Sequence, residues 1–319
     1  MTRTAMLLPK ARGELSQALF DALRSEPGDV GRIPQVAATD TSDAQIALWA
    51  MYELHYSGFE DVDDELEWHP GVLGLRRSLE RGFESELRER QPATTLPEPF
   101  SEALFAFIAE HDGPSIAAHV QRKADREQVL ELLRHRSIYH LKESDPITWV
   151  IPRLPTAPKA ALVELQYDEY GGGDPNRLHA HLFALGLEAS GLRADPYAYI
   201  DDVPVEILEL NNAMSLFGLH RRLRAASLGH LAAFEATSSM PSRRVAQGLT
   251  RLGFPPEMIA YYEEHVEADA VHEQLAVRTI CGALVEEEPQ LIDDVVFGAF
   301  TCLDLEDRYA HRMLDGWGS

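Results

Sequence analysis

The chain has little cysteine. Cys281 and Cys302 are the only two in 319 residues, both in apolar, helix-like surroundings. Neither a disulfide framework nor a thiolate metal cluster is indicated, which fits a reducing cytoplasm. Basic residues are also scarce: against 52 Asp and Glu stand 29 Lys and Arg, a formal net charge of −23. That balance argues against phosphate-backbone binding, and so against nucleic acid as a partner. No apolar run approaches the length of a membrane span, and residues 1–9 hold too short an apolar run for a signal peptide. A soluble, cytoplasmic protein without a membrane partner is expected. Period-two alternation is scarce as well, and no internal repeat of fixed period is visible.

What is present is helical periodicity, and the fold class is all-α. Helices are predicted over 14–24, from a Thr41-Ser42-Asp43 cap to near Gly58, and over 71–90, 100–110, 113–122, 126–143 and 157–170. Asp174-Pro175 is read as an N-cap and first turn, followed by helices over 204–238, 242–251, 256–285 and 290–314. The acidic segment 60–67 lacks the spacing and the glycine of a calcium-binding EF-hand loop and is read as a solvated turn. Residues 91–99 contain Pro92, Pro97 and Pro99 and mark the best boundary. It separates an N-terminal helical region, 1–92, from a larger helical domain, 98–319. The apolar faces of the first region, with Trp49, Tyr52, Leu54, Leu73, Leu75 and Leu79, are expected to pack on the core or form a homodimer contact.

Chemistry is concentrated in the stretch 263–273. His265, Asp269 and His272 stand at i, i+4 and i+7, within roughly a 60° arc of a helix at about 100° per residue. Such a face can grip a metal, but three ligands leave a divalent ion under-coordinated, so other helices must add nitrogen and oxygen donors. A carboxylate-rich, imidazole-containing set without thiolate suits iron or manganese better than structural zinc. The extra carboxylates Glu263 and Glu264 on the same helix predict that the stretch is strained by like charge, and poorly ordered, until metal binds. Glu235 lies in the otherwise apolar run 228–237, where a buried carboxylate needs a partner. Two further segments carry candidate ligands: Tyr139-His140-Leu141-Lys142-Glu143, and 166–183 with Glu169, a triple glycine, His179 and His181.

The order of these elements is an Asp-Glu-Tyr-Gly segment, then His-Ala-His-Leu-Phe, a lone helical Glu, and His-x3-Asp-x2-His. It resembles the haem-oxygenase-like diiron oxidases and oxygenases, most closely the central domain of the N-oxygenase of streptozotocin biosynthesis. The resemblance covers roughly residues 100–319 and implies a haem-oxygenase-like helical bundle. Carried across motif by motif, it implies that Glu169, His179, Glu235, His265, Asp269 and His272 are iron ligands. It also implies that Glu143 is the additional carboxylate that distinguishes the N-oxygenating branch, with a part in catalysis. The chain departs from that enzyme in ending without a C-terminal cupin, so no cupin-dependent step is expected.

One physical difficulty attends this assignment. On an unbroken helix Glu169 and His179 would stand about 15 Å apart along the axis. The triple glycine must therefore break the helix, or the two must serve different metals of a pair. His181 is the rival to His179, about 200° round the helix, and His140 is the rival to Glu143. His55, His220 and His230 have no matching context and are read as structural or surface histidines.

The resemblance implies two Fe ions, dioxygen as co-substrate, an external electron donor, and activation of O2 to a peroxo species. That species oxidises the nitrogen of a small-molecule amine, guanidine or amino-heterocycle, to the N-hydroxy and onward to the nitro level, as in making a nitroimidazole. Two alternatives stand beside this reading. One is a diiron oxidase that cleaves or desaturates a fatty-acid or amino-acid carbon chain, and the other a non-catalytic helical interaction or tetrapyrrole-binding protein.

Overall fold

Helices account for all the regular structure, because apolar residues recur at three- and four-residue spacing along most of the chain. The computed structural model describes residues 6–25 and 36–319, and for 267–270 the helical backbone only. No strand occurs among the described residues, as the all-α expectation requires. The chain divides into two compact units. One comprises residues 1–90 and 195–212, the other 91–194 and 213–319. The break at residue 90 falls beside the proline-rich segment, whereas 195–212, which the sequence reading left in the second domain, belongs to the first unit.

The first unit contains α1 (Glu14–Leu23), α2 (Thr41–Glu53), α3 (Pro70–Arg90) and a short 3-10 turn, Asp64–Trp68, in the acidic segment. The N-cap of α2 is Asp40, whose side chain accepts from the Asp43 amide, so the cap lies one residue before the predicted trio. Asp43 is free to turn inward, where its carboxylate accepts the Leu15 and Ser16 amides at 3.0 and 2.8 Å and joins α1 to α2. Segment 195–212 is tied to the same helices. Tyr197 stacks edge-on to Trp49 and donates to Glu53 at 2.8 Å, and Asn212 donates to the Gln45 carbonyl at 2.8 Å.

The second unit carries the chemistry. Its helices are α4 (Phe100–Ala109), α5 (Ile116–Arg122), α6 (Arg126–His140), a one-turn α7 (Asp145–Thr148), α8 (Thr156–Glu169) and α9 (His179–Ala189). After α10 (Val205–Leu219), which spans the division between the units, come α11 (Arg224–Ala236), α12 (Ser239–Arg251) and α13 (Pro256–Gln274). A π-helical segment, Leu275–Gly282, extends α13 into the short α14 (Ala283–Glu287), and α15 (Ile292–Gly316) follows. The predicted helix over 204–238 is thus two helices, separated at His220 by a 3-10 turn, Arg221–Leu223.

The core of this unit is built from Leu104 of α4, Leu162 and Leu165 of α8, Leu228 and Ala232 of α11, Val277 and Ile280 of the π segment, and Val295 and Ala299 of α15. Two glycines let α11 and α15 meet backbone to backbone. A Cβ at Gly229 would lie 1.9 Å from the Val295 carbonyl oxygen, and one at Gly298 would lie 1.8 Å from that of Ala226. Any side chain there must push the helices apart, so this reciprocal contact pins α11 in register and fixes which of its residues face the other way.

Candidate metal centre

Glu143 reaches the centre of the unit because α6 stops early. The helix ends at His140 with Leu141 as C-cap, not at residue 143 as predicted, and Pro146 opens α7 rather than terminating α6. Between them Ser144 takes a left-handed conformation, φ 70°, an unfavourable one for a residue with a side chain. The surroundings hold it there. The Ser144 hydroxyl donates to Glu169 Oε2 at 3.0 Å, and Gln166 Nε2 donates to the Ser144 carbonyl at 3.0 Å. The turn that carries Glu143 is thereby fastened to the last turn of α8, which carries Glu169.

Glu169 and His179 come together because the chain reverses between them. Gly171, Gly172 and Gly173 all have positive φ, at 71°, 64° and 85°, and the segment turns back so tightly that a Cβ on Gly171 would lie 2.6 Å from both the Arg177 carbonyl carbon and the Leu178 nitrogen. The helix expected from Asp174-Pro175 does not form; α9 begins at His179. The predicted break therefore exists, and it leaves His179 Nδ1 3.1 Å from Glu169 Oε2. His179 is buried, while its rival His181 is exposed.

From α13, His265 and His272 point to the same place. The Nδ1–H of His265 donates to the carbonyl of Tyr261 one turn earlier, at 2.8 Å, which fixes the ring and directs Nε2 toward Glu143, 3.5 Å away. His272 Nδ1 lies 3.3 Å from Glu169 Oε1 and 3.7 Å from Glu235 Oε2, the carboxylate supplied by α11. The side chain of Asp269 lies outside the described residues.

Two sets of donors result. Ligand atoms of Glu143, His179 and His265 all lie within 4.8 Å of one another, and so do those of Glu169, Glu235 and His272; all six residues are buried. Glu169 belongs to the second set but touches the first, one oxygen facing His272 and the other His179. It occupies the place of a carboxylate shared between two sites.

Electrostatics show what the pocket requires. Burial pushes the Glu143 carboxyl up, but the imidazoles of His265 and His140 outweigh it and hold it well below the usual carboxylate range. Burial likewise disfavours ionised Glu169, yet hydrogen bonds from His179 and His272 lower it to about 2. In return His272, despite burial, is raised to about 11 by Glu169 and Glu235, and His179 is also raised. Protons on the imidazoles thus balance buried carboxylates that would otherwise repel one another. A cation bound by the same atoms does that job in their place. The donors are all nitrogen and oxygen, which fits iron, and there are enough of them for two ions.

Two supporting residues escaped the sequence reading. Tyr261 donates its phenol to Glu143 Oε2 at 2.9 Å and is hydrogen-bonded to His140 Nδ1 at 2.7 Å, so His140 stands behind Glu143 rather than replacing it. Ser144 is the other. Tyr261 was detectable, since it lies at i−4 from His265 on the same helix face; nothing in the sequence marks the left-handed Ser144.

The sequence profile of a family described as iron-containing redox enzymes matches residues 130–307, more than half of the chain. The protein belongs to that family, within the haem-oxygenase-like superfamily, and is accordingly an iron-containing oxidoreductase by class. No curated protein matches the chain. The matched span contains Glu143, Glu169, His179, Glu235, His265, Asp269 and His272, and no helix of the described residues is long and apolar enough to cross a membrane.

Proposed function

We propose that the protein is a non-haem diiron N-oxygenase. The observation that carries this reading is the pair of buried Glu/His sets straddled by Glu169. Glu143, His179 and His265 would hold one iron, Glu235 and His272 the other, with Glu169 between them and Asp269 completing the α13 trio. When bound, two irons supply the reduction of dioxygen that an organic side chain cannot perform. The overall change is RNH2 + O2 + 2 e⁻ + 2 H⁺ → RNHOH + H2O, the electrons coming from an external donor. Amines, guanidines and amino-heterocycles are the candidate substrates, and repetition carries the nitrogen toward the nitro level.

The chain's own residues position and enclose. Tyr261 holds Glu143 Oε2 by donating to it, and Ser144 holds Glu169 Oε2 in the same way. Next to these carboxylates a partly enclosed cavity is walled by Tyr139, Ile147, Phe217, Leu231 and Phe234. Such walls exclude water and favour an amine in its uncharged form, the form with a lone pair to oxidise. The position of Glu143 within the first set supports nitrogen oxidation over attack on a carbon chain, since this carboxylate is the one that sets the N-oxygenating branch apart. Anaerobic titration with ferrous iron should saturate at two irons per chain, and admission of oxygen should convert members of an amine and guanidine panel. A protein that takes up no iron removes the reading.

A further inference from the structure

One stripe of α11 lines the cavity from end to end: Ser227, His230, Leu231, Phe234 and Glu235, at helical spacing and on the side turned away from the Gly229 contact with α15. Glu235 is the iron-ligand candidate at one end. His230 lies five residues earlier, about 7.5 Å back along the axis, and Ser227 one turn further. His230 is 6% exposed, its ring meets Phe217 edge to face, and its Nε2 is buried without a hydrogen-bond partner. Leaving a buried imidazole nitrogen in that state costs stability, so the group is expected to have a partner that the protein itself does not provide. Burial also lowers the imidazole to about 4, so it is neutral at ordinary pH and its Nε2 donates or accepts according to the tautomer. None of the described residues lining the cavity is lysine or arginine, so no cation is in place to receive a substrate carboxylate.

We infer that His230, seconded by Ser227, is the substrate-anchoring residue. It hydrogen-bonds the far end of an uncharged, ring-sized substrate whose reacting nitrogen points to the Glu143 and Glu235 end of the cavity. About 7.5 Å of helix axis separates the two ends, so a substrate touching both is on the scale of one small ring. Phe217 and Phe234 supply flat apolar walls for it. The inference rests on the diiron reading for the identity of the reacting end, and it excludes free amino acids and fatty acids as preferred substrates.

The test compares the iron-loaded wild type with the His230→Phe and His230→Gln variants. 2-Aminothiazole, uncharged at neutral pH, and its 4-carboxylate serve as calorimetric probes. The wild type should bind the neutral probe and reject the carboxylate; H230F should bind it roughly 10-fold or more weakly, with H230Q recovering part of the loss. Iron content should stay at the wild-type value in both variants. Thermal unfolding separates a binding role from a structural one: H230F removes an unsatisfied polar group and should melt at or above the wild-type temperature, whereas a structural histidine would lower it. Equal affinity in wild type and H230F, preference for the carboxylate, binding of neither probe, or a lower melting temperature in H230F would overturn the inference. Absence of iron from the wild type would instead overturn the diiron reading, and is scored separately by metal analysis.

Discussion

The reversal between α8 and α9 can be tested with a single methyl group. Gly171 and Gly172 both have positive φ, at 71° and 64°, so alanine at either should cost about 1–2 kcal/mol for the left-handed backbone alone. Beyond that they differ. A Cβ at Gly172 meets nothing closer than the Tyr167 ring at 3.8 Å, whereas at Gly171 it would lie 2.6 Å from two backbone atoms of Arg177 and Leu178. That is roughly 1 Å inside a comfortable contact, and backbone of this kind cannot rotate away as a side chain would. Relief requires the strand of chain leading into His179 to move, at about 1–3 kcal/mol more. Gly171→Ala should therefore lose roughly 2–5 kcal/mol and Gly172→Ala about 1–2, a difference of several degrees in melting temperature by circular dichroism. The ferrous-iron titration should separate them further. His179 lies one residue after the clash, so G171A should bind its first iron at least ~10-fold more weakly than G172A. Equal melting temperatures and equal iron affinities in the two variants would refute the claim that this close approach sets the site.

Tyr261→Phe removes the phenol that holds Glu143 and should weaken iron binding by ~10–100-fold while leaving the fold intact, read by the same titration and by circular dichroism. Glu169→Gln should abolish binding of the iron pair as a pair, giving a stoichiometry of one or none where the wild type takes two; two irons with unchanged affinity would show that Glu169 is not shared. For the metal-free protein, the contribution of His272 is full below its unfolded value of 6.5 and is lost as pH rises through about 11, and that of Glu169 is full above 4.5 and is lost as pH falls through about 2. Stability from this pair should thus be near its maximum around pH 4.5–6.5, and iron, which displaces the imidazole protons, should bind more tightly as pH rises; pH-dependent melting with and without iron checks both signs. Hydrogen exchange across residues 263–273 should slow on iron loading, because Glu263 and Glu264 strain this helix by like charge with its ligand carboxylate until a cation joins them. Identical protection with and without iron would count against that strain.

Much of this was legible in the sequence because it depends on spacing. His265 and His272 share a helix face by periodicity alone, and Glu235 stands out as a carboxylate in an apolar run. Helix rise requires either a break between Glu169 and His179 or a separate metal for each, and three consecutive glycines mark where a break would fall. What could not be read depends on how the turns are stapled. The early end of α6 and the left-handed Ser144 follow from hydrogen bonds to α8, some twenty residues on, which no local pattern encodes. The return of 195–212 to the first unit rests on Tyr197 meeting Trp49 and Glu53, contacts 144 or more residues apart in sequence. His230 stands in no matching motif and reads as a structural or surface histidine; only the cavity it lines singles it out.

The π-helical segment Leu275–Gly282 has a consequence for how this chain can change over time. Wide π turns add a residue relative to an α-helix, so the rod formed by α13 and its extension carries two angular phases. Upstream, His265 and His272 are aligned to the donor sets; downstream, Ala276, Val277, Ile280 and Cys281 are aligned to the core. Deleting one residue within 275–282 would let the segment close to an α-helix with both halves facing as before, whereas a deletion between His265 and His272 would turn the two histidines apart by about 100°. The core would keep its grip in both cases, and only the second would take a histidine off the site. This segment is thus the place in the helix where length can change by one residue, and a relative aligned with a one-residue gap here can keep the centre, whereas one with a gap inside 265–272 cannot.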